Sequence, residues 1–78
     1  MMYKWTVECS IKEKIVLAEV FTDAEEKEAK DEFMALCFEN KLSHEMPGPG
    51  MKLYDTIELY KQNTVTGEIL ERKVRSYK

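Results

Sequence analysis

Apolar and polar side chains alternate without a break over residues 3–11, YKWTVECSI. Tyr3, Trp5, Val7, Cys9 and Ile11 fall on one side, and Lys4, Thr6, Glu8 and Ser10 on the other. A period of two with aromatic and β-branched members predicts a half-buried strand. The polar triplet at 12–14 reads as a turn, and residues 15–21, IVLAEVF, as the returning strand of a hairpin. This second strand is apolar on both faces, with Val16, Ala18 and Val20 opposing Ile15, Leu17 and Phe21. Such a strand is expected to be central and covered twice, or to have its second face covered by another subunit.

The period changes over residues 22–41, TDAEEKEAKDEFMALCFENK, to that of an amphipathic helix. Thr22 with Glu25 has capping-box spacing, and Asp23 with Glu26 offers the same device one residue later. The early carboxylates also suit the positive end of a helix dipole. Ala29, Phe33, Leu36 and Cys37 share one arc, with Met34 at its edge, and this stripe is expected to pack on the sheet. Glu25, Glu28, Glu32 and Glu39 form a ridge away from it, with Asp31 nearby, and Phe38 also points outward.

After Asn40 the segment KLSHEMPGPGMK carries two X-Pro-Gly turns, which neither continue a helix nor join a ladder. A phosphate cradle needs consecutive backbone N–H groups at a helix start, and the prolines remove two of them. The segment therefore reads as a crossover, with Leu42, Met46 and Met51 folding over the helix and covering Phe38. Residues 53–61, LYDTIELYK, form a predicted third strand, with Leu53, Ile57 and Leu59 opposing Tyr54, Thr56, Glu58 and Tyr60. QNTVTG closes a hairpin in which Gly67 supplies a positive φ, and residues 68–77, EILERKVRSY, form the last strand. The order ββαββ predicts an α+β fold, a four-stranded, largely antiparallel sheet with one helix packed on a face, in a single domain over residues 1–78.

At 78 residues and 44% hydrophobic, the chain sustains one small core. Such a core typically leaves only ~3–5 kcal/mol of net stability, so a homodimer is expected, burying the second face of the strand that contains Leu17 and Phe21. The longest apolar run, residues 15–18, is far too short for a membrane span, and the start MMYKWTVECS lacks the apolar stretch of a signal peptide. A cytoplasmic protein is expected, with Cys9 and Cys37 as free thiols.

The net charge of −3 conceals a segregation: residues 19–45 hold nine acids and three bases, whereas residues 46–78 hold four acids and six bases. No pattern of nucleophile and base or metal-ligand spacing accompanies this acidity. His44 is the only histidine and is read as a surface loop residue. No catalytic residue, metal, cofactor or small-molecule substrate is therefore expected, since a convex ridge does not surround a cation with oxygen ligands.

Binding is the remaining class, in three versions. In the leading one, Glu25, Glu28, Asp31, Glu32 and Glu39, with Phe38 beside them, bind a partner protein. At ~1.5 Å rise per residue, Glu28 to Glu32 spans about 6 Å and Glu25 to Glu39 about 21 Å. Those steps are on the scale of phosphate separations along DNA, whose rise is ~3.4 Å per nucleotide. A basic DNA-binding protein would meet such a row with its phosphate-binding lysines and arginines. In the second version, Tyr54, Tyr60 and Tyr77 with Lys61, Arg72, Lys73, Arg75 and Lys78 line a sheet face that binds nucleic acid by stacking and phosphate contact. Glu58 and Glu71 lie among them, which makes direct nucleic-acid binding the lesser expectation. In the third, Phe38 and Met46 anchor an apolar protein contact.

The acidic helix DAEEKEAKDEF and the C-terminal hairpin LYKQNTVTGEILERKV, in so short a chain, resemble the small acidic host-takeover proteins of large Bacillus phages. Some proteins of that class are DNA mimics that occupy the DNA-binding surface of the histone-like protein HU. The resemblance implies a DNA-mimic inhibitor, an HU-like partner and the host cytoplasm. It rests on size, charge layout and style, and no motif defines the group, so it assigns no residue roles.

Overall fold

The computed structural model describes residues 2–77. Strands β1 (Tyr3–Ile11) and β2 (Lys14–Thr22) form the first hairpin, followed by a 3-10 turn over Asp23–Glu25 and helix α1 (Glu26–Glu45). Strands β3 (Thr56–Asn63) and β4 (Ile69–Ser76) complete one sheet of order β2-β1-β3-β4, antiparallel throughout. The architecture is the ββαββ α+β fold that the sequence predicts. No helix among the described residues is long and apolar enough to cross a membrane.

The core follows from the alternation of β1. Trp5, Val7 and Cys9 are buried on the helix side, where Val7 lies opposite Leu59 and Cys9 opposite Ile57 of β3. Ala29 and Phe33 of α1 close over them. Each large side chain so buried contributes roughly 1.5–3 kcal/mol, which is what fixes the helix to the two central strands.

Strand β2 is an edge strand rather than a central one. Leu17 and Phe21 pack against the core, while Ile15, Val16, Ala18 and Val20 remain exposed. A bulge accompanies the change of register, since Cys9 faces Leu17 whereas the next residue, Ser10, faces Ile15. The hairpin between β1 and β2 turns on Lys12 and Glu13, at φ 52° and 68°. Two left-handed residues match the twist of a tight hairpin, a position that normally goes to Asn-Gly. Asp55 supports the turn across the sheet, its Oδ2 accepting the Lys12 N–H at 2.7 Å.

Helix α1 runs five residues beyond Asn40, and His44 lies in its last turn rather than in a loop. The chain leaves the helix at Met46, whose N–H bonds the Leu42 carbonyl at 2.9 Å. The residue before a proline disfavours the α conformation, so Pro47 sets the end. Asn40 does not stop the helix because its side chain is buried and bonds the backbone of Tyr54.

Strand β3 begins at Thr56, three residues later than the alternation of LYDTIELYK suggests. Leu53, Tyr54 and Asp55 form its approach, held by Asn40 and by a bond from the Asp55 N–H to the Ser10 carbonyl. Gly67 adopts φ 79° at the end of the second hairpin, as predicted. The helix packs on β1, β2 and β3, and every residue of β4 is exposed.

Candidate functional site

The acidic residues of the helical segment divide into two sets with different fates. Those of the first set are used within the chain. Glu25 Oε1 accepts the Thr22 N–H at 2.9 Å, completing the predicted capping box and holding the Glu25 carboxyl below its ordinary range. Lys27 pairs with Asp31 at 2.8 Å and Lys30 with Glu26 at 2.7 Å, both one turn apart along the helix. Lys61 of β3 lies 3.9 Å from Asp23. Lys30 and Lys61 also stand over the buried Trp5 ring, at 5.3 and 5.6 Å from its centroid. Cation–π attraction thus anchors the same ammonium groups that neutralise the N-terminal acids. Of the predicted ridge, Glu25 and Asp31 are engaged in this way.

Glu28, Glu32 and Glu39 differ. Among the described residues they make no salt bridge. They lie on the flank of α1 that overlooks β2, and β2 adds a fourth carboxylate. Glu19 pairs in register with Val7, which puts it on the helix side of the sheet. Glu32 is pushed up from its usual value, first by burial against the sheet, then by Glu19, with Glu39 contributing further. Glu32, Glu19 and Glu39 thus lie close enough to act on one another, with burial the larger cause of the raised Glu32 value, and Glu28 continues the row one turn toward the helix start. Glu19 escapes a reading of the helix alone, although it is the single acid within an apolar strand.

Phe38 is exposed, as predicted, but the expected cover is missing. Met34, Phe38, Leu42 and Met46 are 68%, 64%, 46% and 78% exposed. The crossover does not pass over the outside of the helix because its far end is held at the sheet. Asn40 bonds both backbone groups of Tyr54, and His44 Nε2 meets the Tyr54 carbonyl at 2.9 Å. Met51 turns back instead, its thioether accepting the Gly48 N–H at 3.1 Å. Met34, expected at the border of the packed stripe, is likewise in solvent.

The residues of the nucleic-acid reading are not brought together. Tyr60 and Arg72 are register partners on the open face of the sheet, where Arg72 Nε contacts Glu58 at 2.7 Å. Lys73 and Arg75 pair with Leu59 and Ile57, and so project on the helix side. Tyr54 packs against the core. Tyr77 does the same, donating its hydroxyl to the Cys37 carbonyl at 3.1 Å while its ring stacks on His44 at 5.6 Å.

Cys9 and Cys37 are free; Cys9 is buried, and burial pushes its thiol up to about 11. Such a thiol is a poor nucleophile near neutral pH. A surface hollow of about 290 Å³ lies over Ile69, Leu70, Glu71 and Arg72 on β4, with no histidine, cysteine or paired carboxylate in its lining. Among the described residues no group of three His, Cys, Asp or Glu side chains converges as metal ligands. Comparison with known protein families, curated proteins and solved structures gives no match.

Proposed function

We propose that this protein is a non-enzymatic binding inhibitor whose acidic helix flank imitates the phosphates of DNA and occupies the basic surface of a DNA-binding host protein of the HU type. The observation that carries this reading is the cluster of Glu32 and Glu39 with Glu19, in line with Glu28 on the same helix. Like charges so placed repel one another and lower stability. The same helix shows how such charges are neutralised, with lysines one turn away from Glu26 and Asp31. Among the described residues Glu28, Glu32 and Glu39 make no salt bridge, which suits a partner that brings its own cations.

Glu28, Glu32 and Glu39 extend over about 16 Å of helix at ~1.5 Å per residue, a row several phosphates long. Glu25 caps the helix and Asp31 pairs with Lys27, which leaves Glu28, Glu32 and Glu39 as the proposed partner-facing row, with Phe38 at its border. Electrostatic complementarity of this kind speeds encounter and sets specificity.

Charge reversal tests the reading. The pair Glu28→Lys and Glu32→Lys, assayed by titration against a purified HU-type histone-like protein, should lose binding while the far-UV circular dichroism spectrum is retained. Undiminished binding by the doubly reversed chain would remove this flank from the contact.

A further inference from the structure

The outward face of α1 carries a second pattern, one that the acidic flank does not use. Met34, Phe38 and Leu42 follow one another at intervals of one turn and are all exposed. Lys27, Asp31, Lys41 and Glu45 border this stripe, so the signs along the face alternate from positive to negative and back again. Turned end for end about Leu36, the pattern meets its own complement. Lys27 then lies opposite Glu45, Asp31 opposite Lys41, and Met34 opposite Phe38. Every charge encounters the opposite sign, and a two-fold axis produces each encounter twice. Centring the pair at Phe38 instead would set Asp31 against Glu45.

We infer that α1 is a homodimer interface, in which the helices of two copies pack antiparallel about Leu36. The occupant of the apolar stripe is a second copy of this chain, because only an identical partner uses this sign pattern in full. Helices packed in this way lie ~8–10 Å apart. The two-fold axis runs perpendicular to both helices, so whatever faces upward on one copy faces upward on the other. The flanks carrying Glu28, Glu32 and Glu39 therefore come to the same side of the dimer, as two parallel carboxylate rows of opposite chain direction. The interface leaves those residues free. It does not rest on the partner assigned above, and it is tested without that partner.

Sedimentation equilibrium of the full chain, over a range of concentrations, provides the test. The wild type should be a reversible dimer. Asp31→Lys and Lys41→Asp each set two like-charge pairs into the interface and should weaken the dimer roughly tenfold or more. The double variant Asp31→Lys/Lys41→Asp reverses both partners and should restore wild-type association. Phe38→Gln should weaken the dimer without touching a charge. All three positions are on the helix surface, and circular dichroism verifies the fold of each variant. A wild type that stays monomeric overturns the inference, as does a double variant that fails to recover. A dimer indifferent to these changes but lost in Val20→Lys would place the contact on the bare face of β2 and overturn it equally.

Discussion

Asn40 in helix α1 and Tyr54 before strand β3 bond to each other as two strands would. The Tyr54 N–H donates to Asn40 Oδ1 at 2.9 Å, and Asn40 Nδ2 donates to the Tyr54 carbonyl at 2.9 Å. One buried side chain thereby satisfies both backbone groups of a residue that has no ladder partner, and ties the end of the crossover to the helix. Asn40→Leu would keep the volume but orphan the Tyr54 N–H and remove one donor from its carbonyl. A loss of about 2 kcal/mol is expected in urea unfolding. A variant as stable as the wild type would show that the clamp is dispensable.

The carboxylate cluster predicts a conflict between stability and binding. Glu32 is raised above its ordinary value by burial and by Glu19, so its ionised form is less at home in the folded chain than in the unfolded one. A raised acid is harmless to stability below its unfolded value and a burden above it. Glu32→Gln should therefore stabilise the fold at neutral pH by a few tenths of a kcal/mol, after allowance for solvent screening. Removing this charge should also weaken capture of the proposed basic partner. Thermal unfolding beside a binding titration reads both effects, and a destabilised Glu32→Gln would contradict the assignment.

The first hairpin should be improvable. Glu13 sits at φ 68° with a β-carbon, in a region that only glycine enters freely. Glu13→Gly should raise stability by about 1 kcal/mol, the relief of left-handed strain exceeding the added freedom of the unfolded chain. Lys12 is less suitable for change, since any shift there disturbs the N–H bond to Asp55. A lower denaturation midpoint for Glu13→Gly would refute the turn geometry.

Alkaline conditions probe the core from another direction. Burial holds the Cys9 thiol at about 11 and the Tyr77 hydroxyl at about 12, both above their ordinary values. Between the unfolded and folded values the unfolded chain releases protons that the folded one keeps, so stability falls as pH rises. Urea midpoints should thus be maintained up to about pH 9 and decline from there toward about pH 12. Tyr77→Phe should lose the upper part of that decline and, at neutral pH, about 1 kcal/mol for the missing bond to Cys37. A midpoint independent of pH over this interval would contradict the burial of both groups.

Much of this fold is legible in the chain. The alternation of residues 3–11 marks β1 to its last residue, and the Thr22–Glu25 box marks the start of the helical segment, because both signals act between near neighbours. Long-range partners are harder to read. Asn40 resembles a helix stop until Tyr54 supplies its acceptor and donor. Tyr54 and Tyr60 share parity on paper, but strict parity holds only inside a strand, and the chain enters β3 after Asp55. The helix end moves to Glu45 for the same reason, as His44 finds its contacts only in Tyr54 and Tyr77. In the candidate site the sequence identifies the acids but not their pairing. Lysines one turn away neutralise Asp31 and Glu26, and Glu19 joins the cluster from another element.

The proposed flank of Glu28, Glu32 and Glu39 would take the place of phosphate, and competition with DNA is its sharpest test. Labelled duplex DNA bound to an HU-type protein is titrated with the chain while fluorescence anisotropy is recorded. If the flank imitates phosphate, DNA is displaced to completion, with the chain and the duplex excluding each other from one surface. A ternary complex, or DNA that stays bound at saturating chain, would contradict it.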